Sequence, residues 1–423
     1  MRLALLLVGT SLLAACGGSE SGSIGSGGTT PPPASPSTSP ANAANHTFVA
    51  PTKEQTYKAN GVSHKFNYEV ETNNIANTSS GQNNQLYAGN STTVRQSSLS
   101  IAYNPRDAIF DINLSDSASG VSFATRFQDP VHRTDFGGAI QPQQGTPNLS
   151  LPGLQYLQAA TAGAASANFG IAANTMRLNL PDPEKSASYS QDTFFYQKPG
   201  TTTKYVTFAG FLRNNLTATK VDTEATAATP TAPAVAATSK TTYTYDLARG
   251  AFVFGELTLN GNVPKSGSGS YTGSMLASAI INDQPDNTGL GGAPSYFQWI
   301  EGTSTTNVNF GSNTFSLVLN GDVLAPQFDG VTNNTHTIKA GAKFNAEGRG
   351  SVDLAAAGGF LGQFQNVWFV NPDTSRIDLF VAGSSIDGAF YGPAAEEVGG
   401  SYRIVGGQPD ERIDILGIFT GKK

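Results

Sequence analysis

The sequence predicts an all-β protein built from short antiparallel strands. Two observations carry this. Apolar residues fall on every second position in many short stretches, as half-buried strands require. The composition also suits tight turns. There are 47 glycines, and only 13% of residues are charged, about half the usual share. Glycine supplies positive-φ positions, threonine and the aromatics fit pleated surfaces, and asparagine and serine close turns with their own side chains. At 423 residues the chain has room for two domains, or for one large β domain with an extension. Its single cysteine, Cys16, leaves no disulfide and no thiolate-rich metal site.

The first element is a targeting segment. Arg2 is followed by a nearly unbroken apolar run, Leu3 to Leu13, and then by Ala14-Ala15-Cys16. Residues 1–15 have the layout of a cleaved signal peptide, too short and wrongly flanked for a stable transmembrane helix. The end of the run also resembles the lipobox of bacterial lipoproteins. There the cysteine thiol takes a diacylglyceryl group and the signal is cut just before it, so Cys16 is the expected lipidation site. An ordinary signal peptide with an incidental cysteine is the alternative. Gly17-Gly18-Ser19 places no aspartate beside the cysteine, the residue that resembles an inner-membrane retention signal. The expected location is therefore the outer membrane, lipid-anchored, at the cell surface. Acyl chains hold a protein there by burying methylenes, at about 0.8 kcal/mol each.

Residues 16–45 are Gly/Ser-rich and then Pro-rich, with Pro31-Pro32-Pro33, Pro36 and Pro40. They carry too little apolar area to offset chain entropy and read as a disordered tether. Order is expected from His46, and residues 46–262 read as a β-rich handle domain. Its clearest alternating stretches are Ser98–Tyr103, Ile109–Leu114 and Val121–Thr125. Leu154 to Ala173 is the one stretch with helical content, weakened by its glycines. Lys204–Arg213 and Thr241–Leu259 read as a strand pair. Between them lies an Ala/Thr/Pro-rich segment, 217–239, expected to be a disordered loop.

Residues 263–423 are more regular. Strands are expected at Ser268–Ile281, Tyr296–Glu301, Val308–Phe310 and Thr314–Leu319, the last two forming a tight hairpin around Gly311-Ser312-Asn313. Others are expected at His336–Lys339, Lys343–Val352, Gln365–Val370, Arg376–Ala382, Ile386–Tyr391, Gly400–Val405 and Arg412–Thr420. Eight to ten strands in about 160 residues suit a closed antiparallel barrel, which removes exposed edges. A sandwich has the same periodicity and stays open.

Several motifs here resemble the transferrin-binding protein B family. Val263-Pro264-Lys265-Ser266-Gly267-Ser268-Gly269-Ser270-Tyr271-Thr272-Gly273 is similar to its opening barrel strand, and Asn309 to Ser316 to its first hairpin. The segment Gly388-Ala389-Phe390-Tyr391-Gly392-Pro393 through Tyr402, with the terminal Ile415 to Lys423, resembles its closing strands. Gly250 to Thr258 resembles its handle–barrel join. The resemblance implies an eight-stranded up-and-down barrel preceded by a handle. It also implies a surface lipoprotein whose loops bind a soluble protein, an iron or haem carrier or another host factor, beside a TonB-dependent outer-membrane transporter. The chain has one handle–barrel lobe where the largest members have two.

The motif residues also have a direct reading. Gly388, Gly392, Gly399 and Gly400 permit tight turns and close approach. Phe390, Tyr391, Tyr402 and Phe419 are expected to fill the barrel. Glu396 and Glu397 are neighbours on opposite faces and are expected in a solvated turn.

No catalytic constellation is expected. There is no H-E-x-x-H, G-x-S-x-G, P-loop or dinucleotide fingerprint. His46, His64, His132 and His336 are isolated, and Asp283, Asp286 and Asp322 form no calcium loop, so neither a metal nor a cofactor is expected. A net charge of -6 without a basic stripe gives no nucleic-acid footprint. The expected contact surface is loops, namely Asp283–Ser295 and Val323–Asn334. Trp299 beside the first is either a contact anchor or core. Two other functions remain open: a carrier of a small haem-like ligand in the barrel lumen, and a structural or adhesive surface lipoprotein.

Overall fold

Alternating apolar positions produce twenty strands among the residues described by the computed structural model. These are 54–73, 79–83, 91–92, 98–104, 109–116, 121–128, 149–160, 187–198, 200–282, 295–325, 337–355, 359–408 and 411–423. Eleven strands precede the barrel: β1 (Gln55–Lys58), β2 (Asn60–Asn73), β3 (Ser79–Asn83), β4 (Ser91–Thr92), β5 (Ser98–Asn104), β6 (Ile109–Asp116), β7 (Val121–Gln128), β8 (Leu154–Ala160), β9 (Ala187–Gln197), β10 (Val206–Thr223) and β11 (Thr238–Gly255). Nine follow: β12 (Ser268–Asn282), β13 (Ser295–Asn309), β14 (Thr314–Val323), β15 (Lys343–Asp353), β16 (Gly359–Val370), β17 (Arg376–Asp378), β18 (Phe380–Tyr391), β19 (Glu397–Gln408) and β20 (Glu411–Lys422).

The later strands form the barrel. The sheet runs β15-β14-β13-β12-β20-β19-β18-β16, and β15 pairs with β16 to close it. Every pairing is antiparallel, and short β17 adds to β16. This is the eight-stranded up-and-down barrel, and the sandwich is excluded. The lumen is packed with side chains. Phe360 lies 5.4 Å from Phe390, 4.7 Å from Phe315 and 6.2 Å from Phe419, ring to ring. Phe344 pairs with Phe369 and Phe364 with Tyr402. Glycine makes room for these rings. A Cβ at Gly388 would sit 2.2 Å from the Phe360 ring.

The earlier strands form two sheets, β1-β5-β6-β7 and β3-β2-β11-β10-β9-β8, with β4 beside β2. Around Phe194–Tyr196, Val206–Leu212 and Ala248–Phe254 the second sheet is a middle layer buried on both faces, while the tip of the β10–β11 hairpin is exposed. Phe194, Tyr196, Phe211, Phe252 and Phe254 pack against Tyr57, Ile101, Phe110 and Ile112 of the first sheet. Phe195, Val206, Phe208, Leu212 and Val253 pack against the barrel.

Several expectations are corrected. Leu154–Ala160 is strand β8, paired with β9 from Leu154↔Gln197 onward, because sheet pairing outweighs its weak helical pattern; the rest of that stretch lies outside the described residues. Segment 217–239 is not a disordered loop. β10 and β11 stay in register to Thr223↔Thr238, and bridges continue through Thr226↔Val235 and Thr229↔Ala232. Threonine suits the extended backbone there, and Pro230 falls in the turn itself, where no ladder N–H is needed. Thr337–Lys339 forms no strand; it is a connection that buries Ile338 in the barrel core. Tyr296–Glu301 and Val308-Asn309 belong to one strand, β13. Tyr391 does not fill the lumen. It alternates with Phe390, so it points outward and packs against the handle sheet.

Replacing Phe360 with alanine is expected to cost about 3–5 kcal/mol, since its contacts with three other rings leave a cavity that cannot collapse. Urea denaturation of wild type and variant measures this; a cost under about 1 kcal/mol contradicts a packed lumen.

Candidate ligand-binding surface

The handle covers one side of the barrel and so decides which surface remains for a ligand. Along β12, Met275, Ala277, Ala279 and Ile281 face the lumen, while Leu276 and Ile280 face the handle. On β20, Ile413, Ile415 and Phe419 face inward, while Leu416 and Ile418 face the handle. Both strands are therefore apolar on both faces. Trp299 belongs to this contact. It is 2% exposed and meets Phe195 of the handle edge-on at 5.3 Å. Trp299 is thus core, not a ligand anchor.

Three polar pins fix the two parts together. Glu397 of the barrel accepts the backbone N–H groups of Lys204 (2.6 Å), Tyr205 (2.7 Å) and Val206 (3.0 Å). It is buried, which corrects the solvated-turn expectation for this residue, whereas Glu396 accepts the Ala394 N–H in the turn. Burial pushes the Glu397 carboxyl above its usual pKa, and the three N–H donors offset this only in part. Glu301 accepts the backbone N–H and the hydroxyl of Ser150, both at 2.7 Å. Arg249 reaches from the handle onto the outer wall of the barrel, where Ser278 and Asp414 alternate with lumen-facing residues. Its guanidinium donates to the Ser278 carbonyl (2.6 Å) and hydroxyl (2.9 Å), and to the Asp414 carbonyl (3.1 Å) and carboxylate (3.2 Å). Arg403 also pairs with Asp414, and His64 lies 4.0 Å from it.

The Asp414 cluster is almost dry. Burial pushes the Asp414 carboxyl up, but Arg403, His64 and Arg249 outweigh it and hold the pKa well below the usual carboxylate range. Burial pushes Arg249 down to about 10. Breaking such a pair strands a buried charge and costs about 3–5 kcal/mol, although an apolar replacement of the whole set can be neutral. The cluster therefore sets register between handle and barrel more than it adds stability. This places His64 in an interface role. Among the described residues, no group of three His, Cys, Asp or Glu side chains can hold a metal.

The expected contact loops, Asp283–Ser295 and Val323–Asn334, lie largely outside the described residues, as does Cys16. Their roots are described, and both rise from the same end of the barrel. β12 and β13 meet there at Asn282↔Ser295. At that end Gln298 donates to the carbonyls of Leu324 and Ile338, both at 3.2 Å. Asn371 accepts the Lys339 N–H (3.0 Å) and donates to the Thr337 carbonyl (2.9 Å). Phe380 stands at the same end and is 86% exposed. A register shift between Val381 and Gly383 re-aims this part of β18, so Phe380 points to solvent while Leu379 and Val381 pack inward. Nearby, the Arg376 guanidinium stacks over Trp368 at 4.7 Å and pairs with Asp378. Sequence reading missed Phe380. Leu379-Phe380-Val381 reads as plain strand, and only the bulge exposes its middle residue. The lumen offers no comparable site, because its centre is filled by Phe310, Phe360, Phe390 and Phe419.

Residues 263–423 match the family model described as the C-lobe and N-lobe beta barrels of Tf-binding protein B, so the C-terminal domain is a barrel of that kind. Solved structures similar to the chain include intact Ap-TbpB with both lobes, at 12% identity over 88% of this chain and 79% of that one, with a TM-score of 0.26. A double mutant of transferrin binding protein B from Haemophilus parasuis Hp5 shares 12% identity over 88% and 76%, with a TM-score of 0.25. The isotype 1 protein of serogroup B Neisseria meningitidis shares 9% over 88% and 77%, with a TM-score of 0.21. No curated protein matches the chain.

Asp414 predicts an acid-sensitive interface. Its folded pKa is depressed, so its stabilisation is complete above the unfolded value of about 3.9 and is lost as pH falls below it. Urea midpoints between pH 6 and pH 2 are expected to drop more steeply for wild type than for Asp414→Asn, which starts about 3–5 kcal/mol lower at neutral pH. Parallel pH slopes in the two proteins would contradict the assignment.

Proposed function

We propose that this chain is a lipid-anchored outer-membrane surface protein that captures a soluble protein ligand and serves a TonB-dependent transporter. A further part of the proposal is that the ligand carries iron or haem. The family match of residues 263–423 is the observation that carries the reading. In this scheme residues 1–15 are the signal, Cys16 bears the acyl chains and residues 16–45 form the tether. Residues 46–262 are the handle and 263–423 the barrel.

The described geometry supports binding by surface instead of by cavity. The lumen is filled with rings, so ligand contact falls to the barrel's ends and uncovered outer face. The loop end offers the features of a protein contact. Phe380 can desolvate against a partner, and Trp368 with Arg376 supplies an aromatic–cation pair already held in place. The loop roots are tied by Gln298 and Asn371, which limits the ordering cost when a ligand docks. No step in this function needs proton transfer or a nucleophile.

Two experiments test the reading. The full chain, solubilised in mild detergent, is used as bait against extracellular fluid and solubilised outer membrane, with Phe380→Ser as control. The expected result is recovery of a soluble iron- or haem-carrying protein, with affinity about tenfold lower for the variant and an unchanged melting temperature. Recovery of no such protein by folded wild type overturns the capture reading. Separately, Cys16→Ser is expected to move the protein from the detergent to the aqueous phase in detergent partitioning. Unchanged partitioning contradicts lipidation at Cys16.

A further inference from the structure

The barrel end opposite the expected contact loops carries an open groove of about 590 Å³ on its outer surface. Its lining includes Ser268, Ser270, Asn307, Asn309, Ser316 and Arg349. Four of these form a transverse row in register: Ser270 opposite Asn307, Asn307 opposite Ser316, and Ser316 opposite Arg349. At about 4.8 Å per strand the row spans about 14 Å. A second row lies two residues along the strands, with Asn309 opposite Thr314 and Thr314 opposite Ser351.

Arg349 sets this groove apart. The other arginines whose side chains are described all have partners: Arg126 with Asp111, Arg213 with the Ser122 carbonyl, Arg376 with Asp378, and Arg249 and Arg403 with Asp414. Arg349 is exposed and makes no hydrogen bond or ion pair within the described residues. The side chains of Ser268, Ser270, Asn307 and half-buried Ser316 likewise make no hydrogen bond within the described residues. The nearest carboxylate on the same face of β15, Glu347, accepts from Asn366 instead. Asn309 spends its side-chain oxygen on the N–H groups of Gly311 and Ser312, both at 3.0 Å, which leaves its amide as a donor. No carboxylate lines the groove. Lys423, its ammonium 5.4 Å from the Tyr271 ring centre, adds positive charge at the same end.

We propose that this groove binds an acidic saccharide. Rows of unpaired hydroxyls and amides match a ligand with many hydroxyl donors and acceptors, and the free guanidinium matches a carboxylate through two parallel N–H bonds. An extended peptide fits less well. The barrel is closed, so the backbone beneath the groove is already paired and cannot add a strand. Val308 and Phe315 also line the groove, but both are buried in the barrel core and leave no open apolar pocket for a peptide's anchors. A single arginine is no phosphate-tracking stripe, which disfavours nucleic acid. The site is independent of the protein-capture surface, which lies at the other end.

Saturation-transfer NMR on the full chain tests this, with sialyllactose as probe and neutral lactose as comparison. Transfer to sialyllactose is expected to be strong and to lactose weak. Affinity is expected to fall about tenfold in Arg349→Ala and less in Arg349→Lys, which keeps the charge but loses the fork. Arg349 is exposed, so the melting temperature should not change. Absence of transfer, equal transfer to both sugars, or an unchanged affinity in Arg349→Ala overturns the proposal. Displacement of the sugar by a polyglutamate peptide at lower concentration also overturns it, in favour of an acidic polypeptide.

Discussion

The constraint on which the rest depends is the burial, on both faces, of the β10–β11 sheet where Val206–Leu212 and Ala248–Phe254 pass between the first sheet and the barrel. A sheet with one wet face lets its partners shift. This one is clamped, with Phe194, Phe211 and Phe252 locked against one layer and Phe195, Phe208 and Val253 against the barrel. Neither face can return to water without exposing several aromatic rings, each of which buries on the order of 150–250 Å². Handle and barrel therefore behave as one stack of three β layers. The buried pins at Glu397, Glu301 and Arg249 then choose a single register for the stack, because each donor or acceptor is costly if misplaced.

This stacking divides the barrel surface into a covered and an uncovered part. The sector formed by β12, β20 and β19 is spent on the handle and can take no ligand. The lumen is spent on packing. What remains is the two ends and the outer faces of β14, β15 and β16. One end gathers the expected contact loops, Phe380 and the Trp368–Arg376 stack. The other carries the polar groove with unpaired Arg349. A closed barrel suits this division, because its backbone bonds are satisfied internally and its surface chemistry is set by side chains alone.

The sequence and the structure agree most closely where local chemistry dominates. The Asn309-to-Thr314 hairpin was legible because Asn309 closes its own turn and Asn313 takes a positive φ. Gly392 was legible as a turn residue, and its φ of +89° explains why. The transferrin-binding-protein-like motifs were legible for the same reason, being glycine and aromatic positions imposed by a barrel. Leu154–Ala160 and the 217–239 segment were misread because their state depends on a partner strand, not on propensity. One signal was present and not used. Apolar residues at adjacent positions, as in Phe194-Phe195-Tyr196 and Ala251-Phe252-Val253-Phe254, mark strands covered on both faces.

By itself the sequence determined the all-β class, the family-like barrel motifs, the absence of catalytic motifs and the lipobox-like start. These follow from period, composition and short motifs, which act within a few residues. Closure of the barrel was decided by the β15–β16 pairing. Only the tertiary structure decided that Trp299 and Glu397 serve the handle–barrel contact, that Phe380 faces solvent, and that Arg349 stands without a partner. Each of those outcomes depends on which strand lies next door or which face a neighbour covers. Such contacts join residues far apart in the chain, and no local pattern records them.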